Sequence, residues 1–433
     1  VDEYGKFIST VEGVAGEFIF KANRTISDML EEKGALLAET EVTHSYPHCW
    51  RCKKPVIFRA TPQWFISMDK TGLREKALKE IDRVQWIPRW GRDRIYGMVE
   101  NRPDWCISRQ RAWGVPITVF YCRDCEKIHM TRELADTIYN LFKENGADIW
   151  FEKRADELLP EGSECESCGG VDIVKEDDIL DVWFDSGVTH AGVLEERENL
   201  LWPADLYLEG SDQHRGWFHS SLLESVGTRG RAPYDTVLTH GYVVDAGGKK
   251  MSKSLGNVIA PDKIIKQYGA EILRLWVSAS DYRDDIRISE KNLKQMSDAY
   301  RRIRNTCRFM LGNLSDFDPE NDAVAYSELP EIDRFALHNL QGLIEGCRKA
   351  YDDYEFHVIY HSLFNFCTLD MSAFYLDVLK DRLYTSPKAS TARRCAQTVM
   401  HHLLDSLVRI MAPVLIFTAE EIWKFMPGAT KAH

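Results

Sequence analysis

The stretch that decides the fold is LTHGYVVDAGGKKMSKSLGN, residues 238–257. It begins with apolar residues that suit strands and breaks at residues 245–248, where glycine permits positive φ at little cost. The loop that follows carries Lys250 and Lys253, whose ammonium groups are point charges on long, flexible stems. The hydroxyl of Ser252 adds a donor for an oxyanion. The pattern predicts a strand followed by a phosphate-binding loop, and a solvated surface loop is the alternative.

A second strand with a polar end precedes this loop. DLYLEGSDQHRGWF, residues 205–218, predicts a short buried strand, a break and then a helix that Ser211 or Asp212 would cap. Ligands of open α/β sheets bind beyond the carboxyl ends of the strands, often at a helix N-terminus. A capped helix after a strand is also common without any ligand. The residues that this pattern puts at the candidate site are Glu209, Gly210, Asp212 and Gln213.

Four cysteines have the spacing of a metal site. Cys122 and Cys125 form one C-x-x-C pair, and Cys165 and Cys168 form another about 40 residues later. Each pair can turn tightly and present two thiolates, and two pairs complete the tetrahedral shell that Zn²⁺ prefers. Because cysteines would fill all four coordination positions of the ion and leave none open for a substrate, we expect a structural ion. The alternative is two reduced turns without metal.

A further cysteine pair lies in SYPHCWRC, residues 45–52. Cys49 and Cys52 have the spacing of one zinc knuckle, and His48 offers a third donor. One knuckle is only half of a site, so its other ligands would have to come from elsewhere in the protein.

Length and composition limit the class of protein. The chain has 433 residues, a net charge of -12 and 11 cysteines. The length predicts two or three domains, and the acidic balance argues against a protein that grips nucleic acid over its whole surface, although a local basic face stays open. The sequence has no apolar run of membrane-spanning length and no export signal, so we expect reduced cysteines in the cytoplasm.

The periodicity changes from about residue 289 onwards. Apolar residues then recur at steps of three and four, which predicts amphipathic helices over residues 289–314, 332–351, 356–383 and 392–425, the last one broken near Pro413. Such helices indicate an α-helical bundle, which can be a mere scaffold. Arginines that can contact an RNA backbone interleave on the first helix: Arg301, Arg302, Arg304 and Arg308.

Several motifs together resemble a known family. Residues 250–254, KMSKS, match letter for letter the loop of class I aminoacyl-tRNA synthetases. YLEGSDQHRGWF (207–218) and DVWFDSG (181–187) resemble the bacterial isoleucyl type of that family more than its valyl and leucyl types. SYPHCWRC, FRATPQWF (58–65) and WCISRQRAWGVPI (105–117) add to the likeness.

The resemblance implies a fold and its boundaries. It implies the C-terminal half of an α/β Rossmann-type catalytic domain with a small zinc-knuckle insertion, followed by an α-helical bundle. Residues 1–45 would be the closing remnant of an editing insertion. Residues 46–288 would be the partial catalytic domain, with its zinc-binding insertion at 120–170. Residues 289–433 would be a truncated helical anticodon-binding domain.

The resemblance also implies an activity. It implies ATP-dependent activation of isoleucine to isoleucyl-adenylate and transfer to tRNA(Ile), with Mg²⁺ accompanying ATP and Zn²⁺ bound to the cysteines. We expect a cytoplasmic monomer with no membrane contact. The implied roles are catalysis for Lys250 and Lys253, ATP binding for Lys253 and Ser252, and adenylate binding for Glu209, Gly210, Asp212, Gln213 and Trp183.

The sequence departs from the family pattern in one important respect. The family's second ATP motif, of the His-Ile-Gly-His type, is absent, and both ends of the chain look cut. We therefore expect half of an active site and no aminoacylation by this chain alone. A valyl- or leucyl-type synthetase and a non-catalytic RNA-binding fragment remain the alternatives.

Overall fold

A computed structural model describes residues 1–2, 4–49 and 51–428, and for Ser254 it describes the backbone only. The chain divides into two compact units. The first consists of Val1–Ser67 and Asp104–Asp181, and the second of Met68–Pro103 and Val182–His433. Among the helices of the described ranges, none has the length and apolar character needed to cross a bilayer.

Short strands alternate with helices up to residue 287, and helices follow from Glu290 onwards. Tight 3-10 turns cover Ser211–Arg215, Lys253–Leu255 and Tyr326–Glu328, and π-helical turns cover His190–Leu194 and Phe366–Tyr375. The strands are β1 (Phe65–Ile66), β2 (Gln85–Ile87), β3 (Trp105–Cys106), β4 (Ser108–Arg109), β5 (Phe120–Cys122), β6 (Ile128–His129), β7 (Ile173–Lys175), β8 (Ile179–Leu180), β9 (Ala204–Gly210), β10 (Tyr234–His240), β11 (Val243–Val244) and β12 (Ile286–Arg287). The helices are α1 (Ala22–Glu32), α2 (Leu73–Arg83), α3 (Trp90–Glu100), α4 (Arg132–Asn145), α5 (Ile149–Glu152), α6 (Ala155–Leu158), α7 (Val182–Gly187), α8 (Trp217–Arg229), α9 (Pro261–Tyr268), α10 (Ala270–Ala279), α11 (Glu290–Asn313), α12 (Glu331–Asp352), α13 (Phe356–Asn365), α14 (Leu376–Thr385), α15 (Thr391–Met411) and α16 (Ile416–Phe425).

The first unit contains a small antiparallel sheet in the order β6-β5-β7. Helix α4 begins after Thr131, whose side chain accepts a hydrogen bond from the Leu134 N–H at 3.1 Å. The α4 and α5 segments and strands β5 and β7 share one apolar cluster that includes Phe120, Ile138 and Trp150. This cluster gives the cysteine-bearing segment a core of its own.

The second unit contains a parallel sheet in the order β2-β10-β9. Leu238 on the central strand is in register with Leu208 on one side and with Ile87 on the other. Helix α8 connects β9 to β10, and its residues from Phe218 to Val226 are all buried. Because parallel strands end at the same edge of a sheet, His240 lies beside Gly210 where both strands end.

The helical region follows the predicted periodicity closely. Helix α11 begins after Ser289, whose hydroxyl accepts from the Asn292 N–H at 3.2 Å. The predicted break near Pro413 is confirmed, because α15 ends at Met411 and α16 begins at Ile416. The predicted helix over 356–383 is instead interrupted by the π-helical turns between α13 and α14. The helices enclose one large apolar core, with α15 as its most deeply buried element.

Candidate functional site

The 238–257 stretch forms the predicted strands and turn. After β10 and β11 the chain reverses at Asp245, whose Oδ1 accepts hydrogen bonds from the Gly247 and Lys249 N–H groups at 2.9 Å each. Gly248 has a φ of +79°, a conformation that glycine adopts without the cost that a Cβ would impose. The glycines were therefore correctly identified as turn residues, while Asp245 is the side chain that holds the turn.

Asn257 closes the loop that carries the two lysines. Its Nδ2 donates to Asp245 Oδ2 at 2.8 Å and to the Lys250 carbonyl at 3.3 Å. Its Oδ1 accepts from the Ser252 N–H at 2.9 Å. The Ser252 hydroxyl accepts from the Leu255 N–H at 3.3 Å and so caps the 3-10 turn that starts at Lys253. The side chain of Lys253 is exposed beyond this ordered loop.

The lysine loop meets the end of β9 through Tyr242. The Lys250 Nζ lies 5.5 Å from the centroid of the Tyr242 ring, a cation–π distance. A hydrogen bond to Asp212 raises the pKa of the Tyr242 hydroxyl. A Cβ on Gly210 would lie 2.9 Å from Asp212 Oδ1 and 3.8 Å from the Tyr242 ring. Lys250, Tyr242, Asp212 and Gly210 therefore form one continuous patch at the sheet edge.

Gln213 and Trp183 extend this patch. Gln213 Nε2 donates to Asp212 Oδ2 at 3.2 Å, and its Oε1 accepts from the Trp217 N–H at 2.9 Å. The ring of Trp183 passes directly over Gly216, since a Cβ there would lie 2.8 Å from two of its ring carbons. The structure thus brings together most of the sequence-predicted site: Trp183, Gly210, Asp212, Gln213 and Lys250.

Two predicted residues stand apart from these contacts. Glu209 is exposed at the end of β9, where it is in register with Thr239. Lys253 is exposed on the loop, and over the residues that the structure describes no contact joins it to Glu209. Both side chains are therefore exposed, and no contact within the described residues holds them together.

The predicted helix cap is wrong. Neither Ser211 nor Asp212 caps α8, because the chain first makes the 3-10 turn Ser211–Arg215 and α8 begins only after Gly216. The carboxylate of Asp212 turns instead to Gln213 and Tyr242. The acidic group therefore lies at the end of β9 and does not cap the helix.

The four cysteines of the first unit converge as predicted. The Sγ atoms of Cys122, Cys125, Cys165 and Cys168 all lie within 4.8 Å of one another. The Cys122–Cys168 and Cys125–Cys165 Sγ distances are 3.5 and 3.7 Å. Thiolates at the corners of a zinc tetrahedron, each about 2.3 Å from the ion, lie about 3.8 Å apart. The four sulfur atoms therefore fit a metal ion of this size.

The backbone shapes both cysteine turns for metal binding. The Glu126 N–H donates to the Cys122 carbonyl at 2.8 Å, and the Gly169 N–H donates to the Cys165 carbonyl at 2.7 Å. Glu126 and Gly169 have positive φ values of 56° and 72°. A hydrogen bond from the Ser167 N–H lowers the pKa of Cys165 to about 7, whereas hydrogen bonding to the Cys122 thiol raises the pKa of Cys168 to about 12. Of these two thiols, Cys165 therefore loses its proton more readily.

Cys49 and Cys52 form a turn without further ligands. The Lys53 N–H donates to the Cys49 carbonyl at 2.8 Å, and Lys53 has a φ of 60°. In the part of the chain described here, no other histidine, cysteine, aspartate or glutamate joins this pair in a metal cluster. The pair remains half of a possible site.

Comparison with known proteins relates this chain to one family. The model for tRNA synthetases class I (I, L, M and V) matches residues 14–289, and the model for the anticodon-binding domain of tRNA ligase matches residues 333–433. The isoleucine–tRNA ligase of Syntrophotalea carbinolica is 65% identical over 99% of this chain, which corresponds to 46% of that protein. The enzyme of the same name from Geobacter sulfurreducens is 62% identical over 100% of this chain and 47% of its own length.

These relatives confirm the resemblance to the isoleucyl type, and the chain spans about half of their length. A solved structure of Mycobacterium tuberculosis methionyl-tRNA synthetase bound by methionyl-adenylate matches with a TM-score of 0.62 at 17% identity, covering 89% of this chain and 67% of that one. At that identity the match concerns the fold alone. From the family model, which covers more than half of the sequence, we conclude that this chain belongs to the tRNA synthetases of class I.

Proposed function

We propose that this chain is part of an isoleucine–tRNA ligase, which activates isoleucine with ATP and transfers it to tRNA(Ile). The observation that carries this proposal is the patch at the sheet edge, where Lys250 of the lysine loop lies over Tyr242 and Tyr242 meets Asp212 at the end of β9. Cationic and acidic groups thus share the edge of a parallel sheet beyond the carboxyl ends of its strands, which is where ligands of open α/β sheets bind. The relatives named isoleucine–tRNA ligase support the choice of amino acid.

The domain boundaries are proposals as well. We assign residues 46–288 to a Rossmann-type catalytic domain, present in part, with a zinc-binding insertion at 120–170. Residues 1–45 would close an editing insertion, and residues 289–433 would form the helical anticodon-binding domain. The parallel β2-β10-β9 sheet with its α8 crossover supports the Rossmann-type assignment. The Cys122, Cys125, Cys165 and Cys168 cluster supports a structural Zn²⁺ that would hold the two turns together.

The proposed chemistry needs positioning and charge more than covalent catalysis. The isoleucine carboxylate attacks the α-phosphate of ATP, and pyrophosphate leaves. The ribose hydroxyl of tRNA then attacks the adenylate carbonyl, and AMP leaves. Lys253 and Lys250 would neutralise the charge that shifts onto the departing pyrophosphate, with Ser252 binding ATP from the same loop. Mg²⁺ would accompany the nucleotide.

The remaining site residues would hold the adenylate. Glu209, exposed at the strand end, can accept a hydrogen bond from the amino acid ammonium or a ribose hydroxyl. Gly210 leaves room for the backbone to approach the nucleotide, and Asp212 offers a further acceptor. Gln213 and Trp183 would line the pocket beside them.

Amino acid-dependent ATP–pyrophosphate exchange by the full-length enzyme tests the proposal. We expect isoleucine to support exchange much better than valine or leucine. Lys253→Ala should reduce the exchange rate by at least 100-fold, because it removes a charge from the transferring phosphates. Lys266→Ala, an exposed lysine on α9, is the matched control and should leave the rate unchanged. Preference for valine or leucine would reject the isoleucine assignment.

The isolated chain should not aminoacylate tRNA, since we propose that it holds half of an active site. Measured turnover by these 433 residues would contradict that expectation. We also propose a monomer in the cytoplasm. None of the eleven cysteines forms a disulfide, which is typical of proteins in a reducing compartment.

A further inference from the structure

A separate basic cavity lies in the second unit, between the C-terminal half of α3 and the start of α8. Its volume is about 510 Å³. None of the residues that line it belongs to the Lys250–Tyr242–Asp212 patch. The residues on which the inference depends are Arg94, Asn101, Arg102, Arg215 and His219.

The lining of this cavity is basic. Three arginines contribute to it, and no carboxylate does. Within the described ranges, neither Arg94 nor Arg215 forms an ion pair, although the chain as a whole has a net charge of -12. In a protein with an excess of carboxylates, exposed arginines usually have acidic side chains available for ion pairs. Arg94 lies 5.9 Å from the centroid of the Trp90 ring, and neither its guanidinium group nor that of Arg215 has a carboxylate partner in the described ranges. Two such groups at one concave surface favour an anionic ligand.

His219 provides independent support for a ligand. Its side chain is 3% exposed, yet neither ring nitrogen makes a hydrogen bond of good geometry in the part of the chain that the structure describes. Leaving a buried polar group unsatisfied is costly, so such groups usually meet a partner. Burial, and then Arg102, lower the pKa of His219 to about 3, and hydrogen bonding to the His214 backbone opposes this shift only in part. The ring is neutral at pH 7 and retains one N–H that can donate.

We propose that this cavity is an oxyanion site that binds a phosphate group through Arg94, Arg215 and His219. Guanidinium groups match phosphate geometry, and Asn101 offers an additional amide donor at the rim. The phosphate can come from free phosphate or pyrophosphate, or from the backbone of an RNA. The inference does not depend on the ligase activity proposed above, because it concerns a different set of side chains.

Binding measurements on the full chain test the proposal directly. Inorganic phosphate and pyrophosphate are titrated into the protein by isothermal titration calorimetry, without amino acid or ATP. A short single-stranded RNA of random sequence is titrated in a second arm by fluorescence anisotropy. We expect Arg94→Gln and Arg215→Gln each to weaken binding about tenfold, the usual effect of losing one charge-assisted contact. Both positions are exposed, so both variants should fold.

Arg197→Gln is the matched control, because Arg197 is an exposed arginine of the same unit outside the cavity. His219→Leu should also weaken binding, whereas His219→Gln, which keeps a donor, should retain most of it. If only the RNA binds, with the same dependence on Arg94 and Arg215, its backbone supplies the phosphate. The proposal is overturned if neither anion nor RNA binds, or if the cavity variants bind as tightly as Arg197→Gln. Either result leaves the ATP–pyrophosphate exchange test unaffected.

Discussion

Among the individual residues, Gly216 determines where two site side chains can lie. A Cβ at this position would lie 2.5 Å from Gln213 Oε1 and 2.8 Å from the Trp183 ring. Gly216→Ala should therefore displace both side chains and lower the free energy of unfolding by about 1–3 kcal/mol. Gly192→Ala is the control, since nothing lies within 4 Å of its added Cβ. Thermal denaturation checks stability, and an unchanged melting temperature for Gly216→Ala would contradict the close packing.

His219 makes stability depend on pH. Burial, and then Arg102, lower the pKa of His219 from its usual value of 6.5 to about 3. Arg215 also lowers this pKa, whereas hydrogen bonding to the His214 backbone raises it. Below about pH 6.5, His219 is protonated in the unfolded chain but stays neutral in the folded chain. The stability that comes from this difference is complete above pH 6.5 and is lost as pH falls towards 3.

We expect His219→Gln to reduce the loss of stability between pH 6 and pH 4 by about 2 kcal/mol, since each pKa unit of difference corresponds to roughly 1.4 kcal/mol. Urea denaturation at each pH measures the free energy of unfolding of both proteins. His338→Gln replaces an exposed histidine on α12 and should leave the pH dependence as it is. A parallel pH profile for His219→Gln and the wild type would show that His219 does not take part.

The sequence predicted the local turn and the strand end better than the contacts that support them. The lysines of residues 245–256 were identified from their spacing, and the glycines from the positive φ that a turn requires. Both are local properties of the sequence. Tyr242 and Asn257 were missed because their roles depend on partners that only the folded chain brings near. Asp212 was predicted as a helix cap because local pattern cannot show that a 3-10 turn precedes α8. Even so, the predicted acidic strand end was correct.

At the scale of elements, a buried carboxylate joins α10 to the start of α16. Glu271 Oε1 accepts from the Thr418 N–H at 2.9 Å, and its Oε2 accepts from the Thr418 hydroxyl. The Thr418 N–H belongs to the first turn of α16, where helical N–H groups lack partners within the helix and favour negative charge. Arg274 of the same helix α10 donates to the Val414 carbonyl at 2.9 Å, just before α16.

Glu271→Ala should therefore lower the free energy of unfolding by about 1–3 kcal/mol, because it leaves the buried Thr418 N–H without an acceptor. The Thr418 hydroxyl would keep its hydrogen bond with the Tyr300 hydroxyl at 2.7 Å. Glu420→Ala on α16 is the control. Its carboxylate is 62% exposed and, within the described residues, pairs with Lys424 alone at 3.7 Å, so we expect a change below about 0.5 kcal/mol. Urea denaturation of both variants gives the comparison. Equal, small losses would mean that the link between the two helices contributes little.

The helices were the most predictable elements, and the irregular turns were the least. Periodic apolar positions over α11 and α12 reflect burial of one face, which a sequence displays directly. The π-helical turns at Phe366–Tyr375 leave no such mark, because their residues are apolar on nearly every side. Two-residue strands such as β1 and β3 are set by partners distant in sequence, so no local pattern indicates them.

For the whole molecule, the net charge does not show where charged side chains cluster. A net charge of -12 argued correctly against a uniformly basic surface. The same number gave no sign of the cavity lined by Arg94, Arg102 and Arg215, since these arginines come from separate segments. The cysteine cluster is the opposite case: its spacing along the chain predicted its geometry, because each C-x-x-C pair folds as a local turn.

The two compact units should respond differently to loss of metal. Only the first contains the four-cysteine cluster, together with the apolar core around Phe120 and Trp150. We expect about one zinc ion per chain in the purified protein. Because ion binding to such a site can contribute on the order of 10 kcal/mol to local folding, a strong chelator should unfold this segment while the helical bundle keeps its helicity.

Zinc content by mass spectrometry, protease sensitivity of residues 120–175 and helical circular dichroism measure this outcome. Cys168→Ser should abolish the ion and expose that segment, since it removes one of four ligands. Cys52→Ser is the matched control, as its pair lacks further ligands within the described chain, and it should retain one ion. If Cys168→Ser kept the ion and Cys52→Ser lost it, the metal would belong to the Cys49 turn, and the four-cysteine cluster would be a pair of reduced turns.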